Sequence, residues 1–172
     1  NISFYILKEI SSGFRFPENI EGLCMESLKK LPEDFRLPKN IKNLQLGIEE
    51  WENFSFPETM ENLIFLNIKE LPENLCFPKK MRILGLGNLT ELPKNIYLPE
   101  EVNCLYLDGL KRLPSHVIFP MKIKNLLSLA GLKELNPRIA WPEEKMDCLN
   151  LDSLTELPED FRFPENLSVD FR

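Results

Sequence analysis

Apolar residues recur along this chain on a fixed beat. Leu71 to Glu91 gives one clean unit, L-P-x-x-L-x-F-P-x-x-M-x-x-L-x-L-x-x-L-x-x. Its L-x-L core returns as Leu23/Met25, Leu44/Leu46, Leu63/Phe65, Leu84/Leu86, Leu105/Leu107, Leu127/Leu129 and Leu149/Leu151. Ile2/Phe4 is an earlier copy, and Val169/Phe171 fits the start of another. Proline keeps the same time. Pro17, Pro38, Pro57, Pro78, Pro99, Pro120, Pro142 and Pro164 are separated by 21, 19, 21, 21, 21, 22 and 22 residues. Pro32, Pro72, Pro93, Pro114 and Pro158 each fall six residues earlier than a member of that series, and Pro137 falls five earlier than Pro142.

A period near 21 is too short for paired-helix repeats and fits a strand-and-return coil. The L-x-L pair puts two side chains on one face of a short strand. Successive coils then stack these strands in parallel, about 4.8 Å apart. Two prolines within seven residues exclude a regular helix from the return segment, because proline fixes φ and lacks an amide donor. Extended, polyproline-like or 3-10 structure is expected there. Phe35, Phe54, Leu75, Ile96, Val117, Ile139 and Phe161 should turn inward between the prolines. So should Phe16, Leu37, Phe56, Phe77, Leu98, Phe119, Trp141 and Phe163 before the second proline. One coil cannot close a core alone, so stability must come from neighbours.

Three irregularities are expected to distort the stack. The unit from Ile41 to Met60 is two residues short, with Trp51 in place of a leucine. One residue is inserted between Ile123 and Leu127, and another between Pro142 and Met146.

This pattern resembles the leucine-rich-repeat family, and within it the short-repeat effectors that intracellular bacterial pathogens inject into host cells. The likeness rests on L-x-x-L-x-L followed by L-P, as from Met81 to Pro93, and it covers residues 1–172. It implies a repeat solenoid: a leucine-rich-repeat horseshoe with a concave parallel β-sheet and a convex side of extended or 3-10 segments. The whole chain reads as one domain of about eight coils, part of a longer protein, since it opens on Asn1 without an initiator methionine. One slot departs from the family. Where a buried asparagine is usual, three residues after L-x-L, this chain has Leu28, Ile68, Leu89, Leu110, Leu132 and Leu154. Something else must satisfy the backbone of that turn.

If L-x-L points inward, its flanking positions form the solvent face of the sheet. The residue inside the pair runs Ser3, Cys24, Gln45, Ile64, Gly85, Tyr106, Ser128, Asn150. The residue before it runs Gly22, Asn43, Asn62, Ile83, Cys104, Leu126, Cys148. Polar residues hold the two ends. The middle carries Ile64, Leu66, Ile83, Cys104, Tyr106 and Leu126, with a dip expected at Gly85 and Gly87. An apolar centre with a polar rim is the pattern of a protein interface. Tyr106 is the natural anchor, and Glu61, Arg82, Asn103 and Asp108 form the rim.

Composition narrows the partner. Apolar residues make up 43% and charged residues 28%, so a packed structure is expected. The net charge of −6 argues against nucleic acid and anionic membranes. The four cysteines, Cys24, Cys76, Cys104 and Cys148, match no zinc spacing and read as free thiols of a reducing compartment. The single histidine, His116, sits on the return side, out of reach of the strand cysteines. Asp108 and Asp152 lie two coils apart, roughly 10 Å, at or beyond the limit for a glycosidase pair. No metal, cofactor, small-molecule substrate or catalytic site is expected, and the module should be monomeric alone. The resemblance implies secretion into the host cytoplasm and a host or companion-effector protein held on the concave face, its active site covered. The alternative it implies is the substrate-recognition part of a bacterial effector ubiquitin ligase with its catalytic domain elsewhere. A receptor ectodomain, which the triplets at Asn53, Asn88 and Asn166 would suit, would call for cysteine-rich caps.

Overall fold

The structure is a computed structural model that describes residues 1–50, 55–115 and 117–168. Trp51, Phe54, His116 and the Val169/Phe171 pair lie outside the described residues. Eight strands form one sheet in chain order: β1 (Ile2–Phe4), β2 (Gly22–Met25), β3 (Asn43–Leu46), β4 (Asn62–Phe65), β5 (Lys80–Gly85), β6 (Glu101–Tyr106), β7 (Lys122–Ser128) and β8 (Cys148–Asn150). Every neighbouring pair is parallel. The register lays the first leucine of one pair on the next: Leu23, Leu44, Leu63, Leu84, Leu105, Leu127, Leu149. The chain is therefore a leucine-rich-repeat-like solenoid, and no helix occurs among the described residues.

The core runs unbroken beneath the sheet. Leu84, Leu86 and Leu89 are fully buried, as are their counterparts Leu105, Leu107 and Leu110. Each buried leucine contributes roughly 1.5–3 kcal/mol. Aromatic rings of successive coils extend the core on the return side. Phe56 stacks on Phe77 at 5.5 Å, and Phe119 on Trp141 at 6.0 Å. Phe163 departs from expectation: it is 54% exposed, as is Leu157 at 50%. Both lie on the last described coil, where no described coil covers them.

Among the described residues the return segments contain no 3-10 helix; they are turns joined by extended chain. Several of the prolines open a turn that closes on the apolar residue three places on. Phe35 N donates to Pro32 O at 2.9 Å, Met60 N to Pro57 O at 3.0 Å and Phe161 N to Pro158 O at 2.9 Å. Proline suits the entry because it brings no N–H that would need a partner. In the short unit Ile48, two residues after Leu46, takes the fully buried place that Leu28 and Ile68 hold three residues after their own pairs. The insertion before Leu127 is absorbed as a register shift between β6 and β7, facing Val102 and Cys104.

The turn after each strand solves the problem of the absent asparagines in two ways. Its leucine donates back three residues: Leu89 N to Leu86 O at 3.0 Å, Leu132 N to Leu129 O at 3.1 Å and Leu154 N to Leu151 O at 3.0 Å. Polar side chains one residue earlier then reach the preceding coil. Asn67 Nδ2 donates to Gly47 O at 2.8 Å, Ser27 Oγ to Tyr5 O at 2.5 Å, and Asn88 Nδ2 to Leu66 O. Elsewhere in that slot sit Gly109 and Gly131, where coils approach too closely for a side chain.

Charges on the rims alternate from coil to coil. Before the strands run Glu21, Lys42, Glu61 and Arg82, with Lys42 Nζ 2.8 Å from Glu21 and Arg82 4.0 Å from Glu61. After the second proline run Glu18, Lys39, Glu58, Lys79 and Glu100, and beside them Lys80, Glu101, Lys122 and Glu144. Lys79–Glu100 is 3.0 Å, Lys80–Glu101 3.3 Å and Lys122–Glu144 2.8 Å. Hydrogen bonds donated to Glu21, Glu100 and Glu144 hold the Lys42, Lys79 and Lys122 ammonium groups above the usual lysine range. Exposed pairs add little stability each, but a slip of one coil would oppose like charges.

Candidate functional site

Parallel pairing settles which side chains share a column. Gln45, Ile64, Gly85, Tyr106, Ser128 and Asn150 are aligned across β3 to β8. Asn62, Ile83, Cys104, Leu126 and Cys148 form the second column. Leu23, Leu44, Leu63, Leu84, Leu105 and Leu127 between the columns are buried, so the strand pleat turns both columns away from the core. Ile64, Leu66, Ile83, Cys104, Tyr106 and Leu126 are half-buried, and none belongs to the core or packs against it. These are the residues expected to form the apolar centre.

Tyr106 is the largest of them. Burial first, then the charge and hydrogen bond of Cys104 and the charge of Asp108, push its phenol above the usual tyrosine range. It is therefore a neutral hydroxyl at pH 7, a ring with a donor at its tip, the kind of side chain that anchors interfaces.

The rim is more tied down than expected. Glu61 and Arg82 form the ion pair already described. Asp108 turns toward the next coil, where its Oδ1 accepts from Ser128 Oγ at 2.5 Å and from Ala130 N at 3.0 Å. Ser128 is thereby 3% exposed despite its place in an outward column. Asn103 is half-exposed beside Arg82, which is exposed.

The expected dip at Gly85 is filled. A Cβ there would lie 3.3 Å from both Ile64 Cγ1 and Ile64 Cγ2, so the isoleucine branch leans over the glycine. This makes the apolar centre continuous from Ile64 to Tyr106. The hollow on this face lies instead toward β1, a cavity of about 180 Å³ bordered by Gly22, Cys24, Asn43, Gln45, Asn62 and Ile64. Asn62 Nδ2 donates to Asn43 Oδ1 at 2.5 Å, while Asn62 Oδ1 is buried with no hydrogen-bond partner. The sheet face thus has a polar hollow at one end and an apolar plateau at its middle.

Cys24, Cys104 and Cys148 lie in the outward columns and Cys76 on the return side. All four thiols are free. Burial, then the charge and hydrogen bond of Glu26, push the Cys24 thiol up, the opposite of what a nucleophilic thiolate needs. Cys104 and Cys148 are separated by Leu126 in their column. No group of three or more His, Cys, Asp or Glu among the described residues is placed to hold a metal ion.

The return side carries apolar exposure that the repeat pattern did not single out. Tyr97 is 58% exposed, Ile118 84% and Met121 67%. Together they border a groove of about 350 Å³ between two successive return segments. No family model matches the chain, and neither a curated protein nor a solved structure does.

Proposed function

We propose that this chain is a recognition module of the leucine-rich-repeat type that holds a folded protein partner against its sheet face. The observation that carries the reading is the block formed by Ile64, Ile83, Cys104, Tyr106 and Leu126 on the four adjoining strands β4 to β7, outside the core. A contiguous apolar patch on a solvent-facing sheet is costly to leave wet and marks a contact surface. Seven inter-strand steps of about 4.8 Å give a sheet roughly 34 Å long. That length seats an interface of standard size, near 800 Å² per partner.

The partner meets Tyr106 at the centre and places polar groups in the hollow lined by Asn43 and Gln45. Covering a partner in this way inhibits it when the contact includes its active site. The likeness of the repeat to bacterial effectors supports a host protein or a companion effector as that partner, met in the host cytoplasm. Free thiols suit such a reducing compartment.

Paired capture experiments from host lysate and from co-expressed bacterial proteins test the reading, with the wild-type protein and Ile64→Asp as baits. The charge should remove the captured partner while the thermal midpoint stays unchanged, because Ile64 packs outside the core. Equal capture by both baits would refute the sheet-face assignment.

A further inference from the structure

The charge ladder on the return side alternates as far as Glu100 and breaks at Met121, and that break coincides with the exposed apolar groove. After the second proline the signs alternate through Glu18, Lys39, Glu58, Lys79 and Glu100. The next coil calls for a cation and has Met121, followed by Glu143. Glu100 therefore bonds Lys79 on one side, at 3.0 Å, and faces a methionine on the other. The neighbouring ladder does not break there, since Lys122 still pairs with Glu144 at 2.8 Å. At Met121 the column exchanges a charge for a thioether, and beyond it the slot holds two acids in succession, Glu143 and Glu165.

The surroundings of Met121 fit that exchange. Ile118 and Tyr97, both largely exposed, border the same groove with Leu98 and Pro120. On the preceding step the return segments are joined by a parallel bridge between Cys76 and Tyr97; among the described residues no such bridge joins Tyr97 to the coil beyond. The groove opens where that pairing stops. Its walls are apolar and Glu100 stands at its rim, with Glu143 on the following coil. Lys94 also lines the groove.

We propose that this groove is a second docking surface, separate from the sheet face, for an extended segment of a protein partner carrying an apolar side chain followed by lysine or arginine. The apolar side chain fills the space between Tyr97 and Ile118 and covers the Met121 thioether, an adaptable contact. The cation takes the place that the ladder leaves empty, between Glu100 and Glu143. Charge complementarity thus fixes the direction of the segment as well as its composition.

The methionines provide the test. Of the five, Met25, Met60, Met81 and Met146 are buried in the core and Met121 alone is exposed. In protein carrying 13C-methyl methionine, a capped pentapeptide of sequence glycine-leucine-leucine-lysine-glycine is titrated. Its twin with glutamate for lysine serves as the comparison. The Met121 methyl resonance should move in a saturable way with the lysine peptide, about threefold more tightly or better than with the glutamate twin. The core methyl resonances should hold. Ile118→Ser should weaken the lysine peptide with the same core resonances unchanged, which shows that the variant is folded. An unmoved Met121 resonance, equal affinity for both peptides, or full affinity in Ile118→Ser would overturn the proposal. So would a Met121 shift on simple dilution of the protein, which would make a second copy the occupant.

Discussion

Replacing Gly131 with alanine destabilises the stack by about 3 kcal/mol, the upper part of the usual range for overpacking. A Cβ at this position would lie 1.8 Å from the carbonyl oxygen of Asp108 and 2.9 Å from its carbonyl carbon. Both are backbone atoms of the preceding coil, so no rotamer change relieves the clash. Opening the step between β6 and β7 is the remaining escape. That movement also pulls Ser128 Oγ and Ala130 N away from the Asp108 carboxylate, which they reach across the same step. In a solenoid each coil holds only its neighbours, so one opened step weakens everything beyond it. Gly87→Ala is the matched control. The nearest atom to a Cβ there is Asp108 Oδ2 at 4.0 Å, and its φ is not in the left-handed region. It should change stability by no more than about 0.5 kcal/mol. Urea midpoints of the two variants decide the matter, and similar midpoints would contradict the close approach of these coils.

Tyr106→Ala weakens binding of the sheet-face partner by about 2 kcal/mol or more, roughly thirtyfold. The ring sits in the column between Gly85 and Ser128, with Cys104 and Leu126 in the column beside it. Truncation removes the apolar body and the neutral hydroxyl together. Leu157→Ala should leave that affinity unchanged, because Leu157 is exposed on the last described coil, outside both outward columns. Calorimetric titration against the captured partner reads both variants. Equal affinities would place the contact elsewhere.

Much of this architecture was legible because a period-two strand and a 21-residue coil each leave a mark in the sequence. The inward leucines and the two outward columns follow from that periodicity, and the observed register matches them residue for residue. Contacts between coils were less legible, since they depend on which side chain leans where. Gly85 reads as a gap until Ile64 is seen to cover it. Asp108 reads as a free rim carboxylate until Ser128 and Ala130 claim it. The backbone partners Ser27, Asn67 and Asn88 occupy a slot one residue before the family's usual asparagine. Phe163 matches its inward counterparts in sequence, but the last described coil leaves it uncovered. The groove beside Met121 did have a sequence signal, the interrupted alternation of Glu and Lys after the second proline. That signal becomes meaningful once salt bridges show that the charges meet across coils.

The most direct test of the outward columns is a nuclear Overhauser spectrum of methyl-labelled protein, read at Gly85. The Gly85 α-protons should show cross-peaks to the Ile64 methyl groups on one side and to the Tyr106 ring on the other. A Tyr106 ring that instead contacts the methyl groups of Leu84 and Leu127, with no cross-peak to Gly85, would put the proposed contact surface inside the core and end the account.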